Sequence, residues 1–323
     1  MFYTDYTRNP LQVKGVKDLT DQLTGAKIQP MNEITFRPAT AADKPAVVAF
    51  TQHTWPHGDY IPEIYDAWLT DARGPFLVAE VKGEVVAVSK VTFLGPDQAW
   101  LEGLRVHPEH RRRGIARQFL AYEIALAQSR GARVVRFATA WDNFPIHKIA
   151  AEAGMRHVAS FVPYWAEALP GPVRARALRQ DDLAAAWDMI AASEVYRRSG
   201  GLYDQGWAWK ELNPAEVAQL IQKGDALGWQ APGRENAWAG VALLLSDFYD
   251  REALRICWLG GDMTQMTEFA RDLRYVAAAR GLTRVHVPLV DWPELRAALT
   301  AAGYQSDPGG EGFSLWIFEK ALS

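Results

Sequence analysis

Residues 100–116 read WLEGLRVHPEHRRRGIA. An apolar, strand-like run leads into a basic loop that contains one glycine, and the loop opens a long helical stretch. Arg111, Arg112, Arg113, Gly114, Ile115 and Ala116 fit the spacing Arg/Gln-x-x-Gly-x-Gly/Ala. The first amides of a helix have no intrahelical acceptor, and the helix dipole makes that end positive. Gly114 and the small Ala116 let backbone amides approach an anion closely. Arg111, Arg112 and Arg113, with Arg105 and Arg117 flanking them, add charge and bidentate donors. Cations at a helix N-terminus repel the dipole unless an anion sits between them. The chemistry that fits is diphosphate binding; the competing reading is a solvated arginine run.

Glu102 precedes this loop on the strand. Strict alternation places it on one face with Trp100, Leu104 and Val106. A carboxylate among such neighbours is unusual without a partner or a task. One task is to accept a proton from a reacting group. The competing reading is a structural ion pair with Arg105 or Arg136, and a bulge in the strand would change the face it occupies. Farther upstream, HTWPHGDYIPEIYDAWL, residues 53–69, is aromatic and carries Asp59 and Glu63. Trp55, Asp59 and Tyr60 form a candidate pocket wall for a cationic group, or else an ordinary packed loop.

The strand ending Leu104-Arg105-Val106-His107-Pro108-Glu109, followed by RRRGIA, resembles the coenzyme A motif of the Gcn5-related N-acetyltransferase (GNAT) superfamily. The resemblance implies a mixed sheet splayed between its fourth and fifth strands. It implies acetyl-CoA as co-substrate, with pantetheine paired to the backbone near Leu104 and Val106. The pyrophosphate is then held by amides of Arg112, Gly114, Ile115 and Ala116. LEGLRV also resembles branches in which this glutamate lines the acceptor site; the expected reaction is direct attack by an amine, with Glu102 as candidate base and an amide near Leu104 polarising the thioester carbonyl. Asn143 opens NFPIHKIAAEAGM, which is similar to the family's Asn-containing helix entry; it contacts the coenzyme or caps the helix. Many members carry a tyrosine seven residues later as acid to the thiolate, and here that slot is Ala150. His147 on the same helix either meets cofactor or acceptor, or is packed. GDYIP and LEGLRV look similar to the branch that includes histidine N-acetyltransferase, which implies a small-molecule amine as acceptor. An acyl-CoA-binding pseudoenzyme and a protein acetyltransferase are the alternatives.

These residues need elements to hold them. ITFRPAT reads as a strand, Thr40 as the N-cap of a helix reaching about His53, and Ile61–Ala72 as a second helix. FLVAEV and VVAVSKVTFL form a hairpin about Gly83, and AWLEGLRV a third strand. A helix from Gly114 to Arg130 stops at Gly131. RVVRFAT, a helix from about Phe144 to Ala153, and HVASFVPYW complete the unit. Pro170, Gly171 and Pro172 read as a linker. The same order then recurs, from VRARAL through helices at DDLAAAWDMIAAS and PAEVAQLIQKG to strands AWAGVALLL and LRICWLGG. A helix from Thr264 to Arg280, the strand RVHVPLV, the helix PELRAALTAAG and the strand FSLWIFEKAL finish it.

The expected fold is α/β with mixed sheets, as two tandem GNAT-like domains. Residues 1–33 form an N-terminal extension, 34–169 the acetyl-CoA domain and 173–323 a degenerate copy. The copy carries WLGGDMTQMTEFA where the first has its arginine loop, and Asp262 and Glu268 there would repel pyrophosphate. Tandem arrangements resemble mycothiol synthase-like enzymes, in which the second copy is catalytic; here the motif lies in the first. Tyr203, Trp207 and Trp209 face a cleft or pack in the core.

Composition narrows the remaining classes. Thirty-five basic and 38 acidic residues give a net charge of −3, so no basic stripe for nucleic acid is expected. No run of eighteen apolar residues exists, so no membrane span is expected. The start MFYTDYTRNP lacks a secretory pattern, and Cys257 is the only cysteine, which fits a cytoplasmic location. Seven scattered histidines give no metal spacing. The expected state is a monomer or homodimer.

Overall fold

The computed structural model describes residues 34–54, 58–233, 237–306 and 313–323. The expected extension 1–33 and Trp55 lie outside the described residues. The described residues up to Val135, with Lys320–Ser323, form one compact unit, and those from Arg136 to Glu319 form the other.

The first unit opens with strand β1 (Ile34–Pro38). Thr40 and Asp43 then close a capping box, in which the Thr40 amide donates to Asp43 Oδ2 at 2.7 Å. Helix α1 (Lys44–Thr51) follows, with a proline in its first turn. Helix α2 (Ile61–Thr70) buries Ile61, Ile64, Tyr65 and Trp68. Their i, i+3, i+4, i+7 spacing makes one apolar stripe. It packs with Val47, Phe50, Phe76, Val78 and Val88 into one core.

Strands β2 (Phe76–Val81), β3 (Glu84–Phe93) and β4 (Gln98–Val106) run antiparallel in sequence, with β1 on β2. The β2–β3 turn has φ of 53° at Lys82 and 82° at Gly83. Two positive φ values in a two-residue turn match the twist of the strands it joins. Helix α3 (Ile115–Ser129) follows β4, and Gly131, with φ 83°, ends it. The chain leaves this unit along β5 (Val134–Ala140).

The second unit continues with α4 (Phe144–Glu152) and β6 (Arg156–Glu167). Past the Pro170–Pro172 segment come β7 (Arg176–Ala177), α5 (Leu183–Ala192) and α6 (Glu194–Arg198). A short hairpin, β8 (Leu202–Asp204) with β9 (Trp209–Glu211), precedes α7 (Pro214–Lys223). Then come β10 (Ala226–Trp229), β11 (Gly240–Leu244) and β12 (Ala253–Gly261). The chain ends through α8 (Met266–Ala279), β13 (Arg284–Val290), α9 (Pro293–Ala301), β14 (Gln305–Ser306) and β15 (Leu315–Ala321).

The strand order in this unit is β5-β15-β6-β13-β12-β11-β10-β7. Strands β12 and β13 are parallel and β13 and β6 antiparallel, so the sheet is mixed, as expected. The last strand of the chain lies between β5 and β6. Neither it nor β6 pairs only with its neighbours in sequence. The linker is held at its far end by Asp272, whose carboxylate accepts the amides of Arg174 (2.9 Å) and Ala175 (2.7 Å). Gly171 is needed there because a β-carbon would lie 2.5 Å from the Tyr275 ring. Tyr203 and Trp209 are buried, which is the core alternative for that cluster. The hairpin β8–β9, strands β10 and β14, and helix α6 were not anticipated from the sequence.

Candidate active site

Strand β4 bears Glu102 and then kinks. Lys90 on β3 pairs with Glu102 and Val88 with Arg105, so Ser89 alone faces both Gly103 and Leu104. This is a β-bulge. Gly103 has φ 73°, and a β-carbon there would lie 2.5 Å from the Trp68 ring. The position therefore requires glycine on two counts. Beyond the bulge the alternation is reset. Glu102 shares its face with Trp100 and Arg105, and not with Leu104 and Val106 as strict alternation predicted.

Glu102 is half-buried, and Thr92 Oγ1 donates to its Oε1. Neither Arg105 nor Arg136 is its partner: Arg136 binds Glu211 and Glu319 within the second unit. Lys90 is fully buried; its Nζ lies 3.1 Å from Asp71 Oδ2 and donates to the Gly74 carbonyl at 3.4 Å. Arg73 forks onto the same carboxylate at 3.0 and 2.9 Å. Burial opposes ionisation of Asp71, yet bonds from Arg73 and the charge of Lys90 hold it down at about 2. Burial pushes the Glu102 carboxyl up, against the pull of Lys90 and Thr92. Burial likewise pulls Lys90 down, while Glu102 and Asp71 support its charge. The result is a carboxyl with a raised affinity for protons beside a buried cation. Sequence reading missed Lys90, Asp71 and Thr92, although a lysine inside VVAVSKVTF was a visible signal.

Arg105 and Asp59 meet. Asp59 Oδ2 accepts Arg105 Nε at 2.7 Å, and the Asp59 side chain is fully enclosed. Asp59 Oδ1 also accepts the Ile61 amide at 3.2 Å, which fixes the start of α2. The Arg105 guanidinium lies over the Tyr60 ring, 5.4 Å from its centroid. Burial pushes the Tyr60 hydroxyl up to about 12, with Arg105 opposing. The charge of Asp59 is thus spent on Arg105. Arg105 faces Asp59 and the Tyr60 ring.

Between β4 and α3 the loop 107–114 holds the arginines. Arg112 has φ 61°, and Gly114, with φ 77°, is the N-cap of α3. Arg111, Arg112, Arg113 and Gly114 are exposed, as is Arg117, while Ile115 is buried and seats the helix end. Arg111 Nε donates to the Val106 carbonyl at 3.3 Å. No acidic residue lies in the first turn, and the first helical bond runs from the Gln118 amide to the Gly114 carbonyl at 3.1 Å. The amides of Gly114, Ile115 and Ala116 therefore have no helical acceptor. A positive helix end, exposed guanidiniums and a glycine N-cap make a fitting cradle for an anion.

Asn143 and His147 belong to the second unit. Asn143 does not cap α4 with its side chain; its Nδ2 donates to Thr139 Oγ1 at 2.9 Å. His147 Nε2 lies 3.0 Å from the Ala140 carbonyl, and its ring stacks on Trp316 at 4.8 Å. Ala150, in the slot where many GNAT proteins have tyrosine, is fully buried.

The second unit repeats the strand–helix arrangement with different residues at these positions. The middle of β12 is Cys257, a buried thiol pushed well up by burial, where the middle of β4 is Glu102. Only residues 262–265 connect β12 to α8, against 107–114 in the first unit. Asp262 occupies that short connection and accepts the Thr264 amide at 2.9 Å. Among the described residues no cluster of three His, Cys, Asp or Glu side chains suits a metal. None of the described helices is long and apolar enough to cross a membrane.

The chain is similar to known proteins. Residues 43–155 match the acetyltransferase (GNAT) family. Histidine N-acetyltransferase of Oreochromis niloticus is 33% identical over 98 residues, which are 30% of this chain and 29% of that protein. The chain thus matches less than a third of the length of this curated relative. The crystal structure of a GCN5-related N-acetyltransferase from Sphaerobacter thermophilus has a TM-score of 0.60 at 14% identity, covering 89% of this chain and 95% of the other. A tandem GNAT protein from the clavulanic acid biosynthesis pathway has a TM-score of 0.50 at 14% identity, over 90% and 98% of the two chains. The latter two likenesses concern the fold alone, whereas the family match covers the bulged strand, the arginine loop and the α3 helix end together. Residues 43–155 are a domain of the GNAT acetyltransferase family.

Proposed function

We propose that the first unit transfers an acetyl group from acetyl-CoA to the primary amine of a small molecule, with a free amino acid as the leading acceptor class. The observation that carries this reading is the bulged β4 strand, which sets Glu102 just ahead of an exposed arginine loop and a bare, positive helix end. The amides of Arg112, Gly114, Ile115 and Ala116 would hold the pyrophosphate, with Arg111, Arg113 and Arg117 adding charge. The co-substrate supplies an activated acetyl thioester. Glu102, ionised, takes the proton from the incoming ammonium group, directly or through water. Tyr60 and the enclosed Asp59–Arg105 pair belong to the wall on the acceptor side; Trp55, also expected there, lies outside the described residues. The likeness to histidine N-acetyltransferase supports an amino acid over a protein tail. The second unit, with its short connection and buried Cys257, is read as a degenerate copy of the same fold.

Calorimetric titration with acetyl-CoA is expected to give one site per chain. Gly114→Glu is expected to abolish it, because a carboxylate then stands at the helix end. No binding, or two sites, would sink the proposal. A screen of free amino acids for thiol release then identifies the acceptor. Buried Ala150 favours one second reading, a coenzyme-binding protein without turnover; it predicts the same titration and no thiol release.

The raised Glu102 carboxyl sets a pH dependence. As a base it works ionised, so kcat/KM should rise with pH through a value above the ordinary carboxylate range. Lys90→Met removes a cation that favours ionisation. The acid limb is therefore expected to move to higher pH, and an unmoved limb would show that Lys90 does not tune the base.

A further inference from the structure

Ser89 sits opposite the bulge, on the sheet face that α3 covers. It is fully buried, and so is Glu123 on α3. The Ser89 hydroxyl lies 2.6 Å from Glu123 Oε1 and 3.2 Å from the backbone carbonyl oxygen of Glu102. A serine hydroxyl carries one proton, and an ionised carboxylate and a carbonyl are both acceptors only. If Glu123 were ionised, Ser89 could satisfy one of them and would turn lone pairs toward the other. If Glu123 is protonated, the count closes. Glu123 donates to Ser89, and Ser89 donates to the Glu102 carbonyl.

The surroundings give the same answer. A buried carboxylate needs a cation or several donors. Among the described residues no basic side chain pairs with Glu123, and Ser89 is its single hydrogen-bond partner. The charged groups on the strands packed against α3 are engaged elsewhere. Arg37 on β1 is held by Asp43 and Glu80, Lys90 on β3 by Asp71, and Arg105 on β4 by Asp59. The Glu102 carboxylate accepts from Thr92, and Glu84 at the start of β3 is exposed near His110. On α3 itself, Tyr122 stacks on Phe36 and Arg130 lies over Phe93. Burial pushes the Glu123 carboxyl up to about 8, opposed only by the Ser89 bond.

We propose that Glu123 stands as a neutral carboxylic acid at neutral pH and, through Ser89, holds the Glu102 carbonyl in a one-way hydrogen-bond relay that fixes the β4 bulge. Glu123 and Ser89 are then positioning residues for the Glu102 carboxylate and the Leu104 amide. The relay concerns this chain alone; its effect on rate rests on the function proposed above.

Two measurements need no activity. Infrared difference spectra of wild type against Glu123→Gln at pH 7 are expected to show one protonated-carboxyl band that the variant lacks, fading above about pH 8. Denaturant unfolding across pH is the second. Between the unfolded and folded values, the folded protein holds a proton that the unfolded chain has released. Stability is thus full at low pH and falls as pH rises, by up to about tenfold in the unfolding constant per pH unit, until about pH 8. Glu123→Gln should lack this decline. Parallel curves, or no band, overturn the relay.

Kinetics test the positioning role. Glutamine still donates to Ser89, so Glu123→Gln is expected to keep kcat within about twofold of wild type. Glu123→Leu and Ser89→Ala break the relay and are expected to lower kcat about tenfold with KM for acetyl-CoA nearly unchanged. Equal losses in the Gln and Leu variants would overturn positioning by hydrogen bonding. If wild type transfers no acetyl group, the function proposal fails while the spectra and unfolding curves still decide the relay.

Discussion

Glu102→Gln is expected to lower kcat by about a hundred- to ten-thousandfold, the usual worth of a positioned general base. That range corresponds to about 2.7–5.4 kcal/mol of barrier. The substitution is chosen to isolate the proton-accepting function. Glutamine has nearly the shape of glutamate, can still accept from Thr92 and removes a half-buried charge, so the fold should persist. The arginine loop is untouched, and acetyl-CoA affinity should stay within about twofold. The residual rate should also lose the acid limb that Glu102 imposes. If the variant keeps most of its rate, Glu102 is a structural partner of buried Lys90, and the proton leaves by another route. The pair with Lys90→Met is informative for that reason. A tuning residue moves the limb, whereas a merely structural one lowers rate or stability at every pH.

How far the sequence could be read depended on how local the determining interactions are. The arginine loop was legible because a helix end, a glycine N-cap and the charges all lie within residues 111–117. The capped helices and the hairpin at Lys82–Gly83 are local in the same sense. The bulge was not legible. Gly103 sits inside LEGLRV and looks like part of a regular strand; what demands glycine there is the Trp68 ring on α2. The face of Glu102 relative to Leu104 and Val106 was misassigned as a consequence. Asp59 read as an open anion because its partner Arg105 lies 46 residues on. Glu123 was readable in principle. Its spacing from Ile115 and Phe119, at i+8 and i+4, puts it on the apolar stripe of α3. The place of β15 between β5 and β6 was out of reach, since strand partners are set by distant pairing and not by the strand's own pattern.

Asp204→Ala is expected to destabilise the second unit by about 3–5 kcal/mol, the cost of leaving a buried cation unpaired. Asp204 and Arg255 are both essentially inaccessible, and Asp204 Oδ2 accepts from Arg255 Nε at 3.0 Å and Nη2 at 2.5 Å. The guanidinium lies between two rings, 4.8 Å from Trp207 and 4.3 Å from Phe248. Asp204 Oδ1 accepts the Trp207 amide at 2.6 Å, which supports a non-glycine residue at φ 72°. One carboxylate therefore neutralises the cation and fixes the turn that presents a ring to it. Scanning calorimetry should show the unit's transition lowered by roughly 6–20 °C, at about 2–4 °C per kcal/mol for a unit of this size. Asp204→Ala combined with Arg255→Met should recover part of the loss, because the buried charge is gone and an apolar chain remains between the rings. A single-variant loss under about 1 kcal/mol would mean that water or a shifted side chain meets Arg255 once Asp204 is removed. A full loss with no recovery would place the main contribution in the Trp207 turn and not in the ion pair.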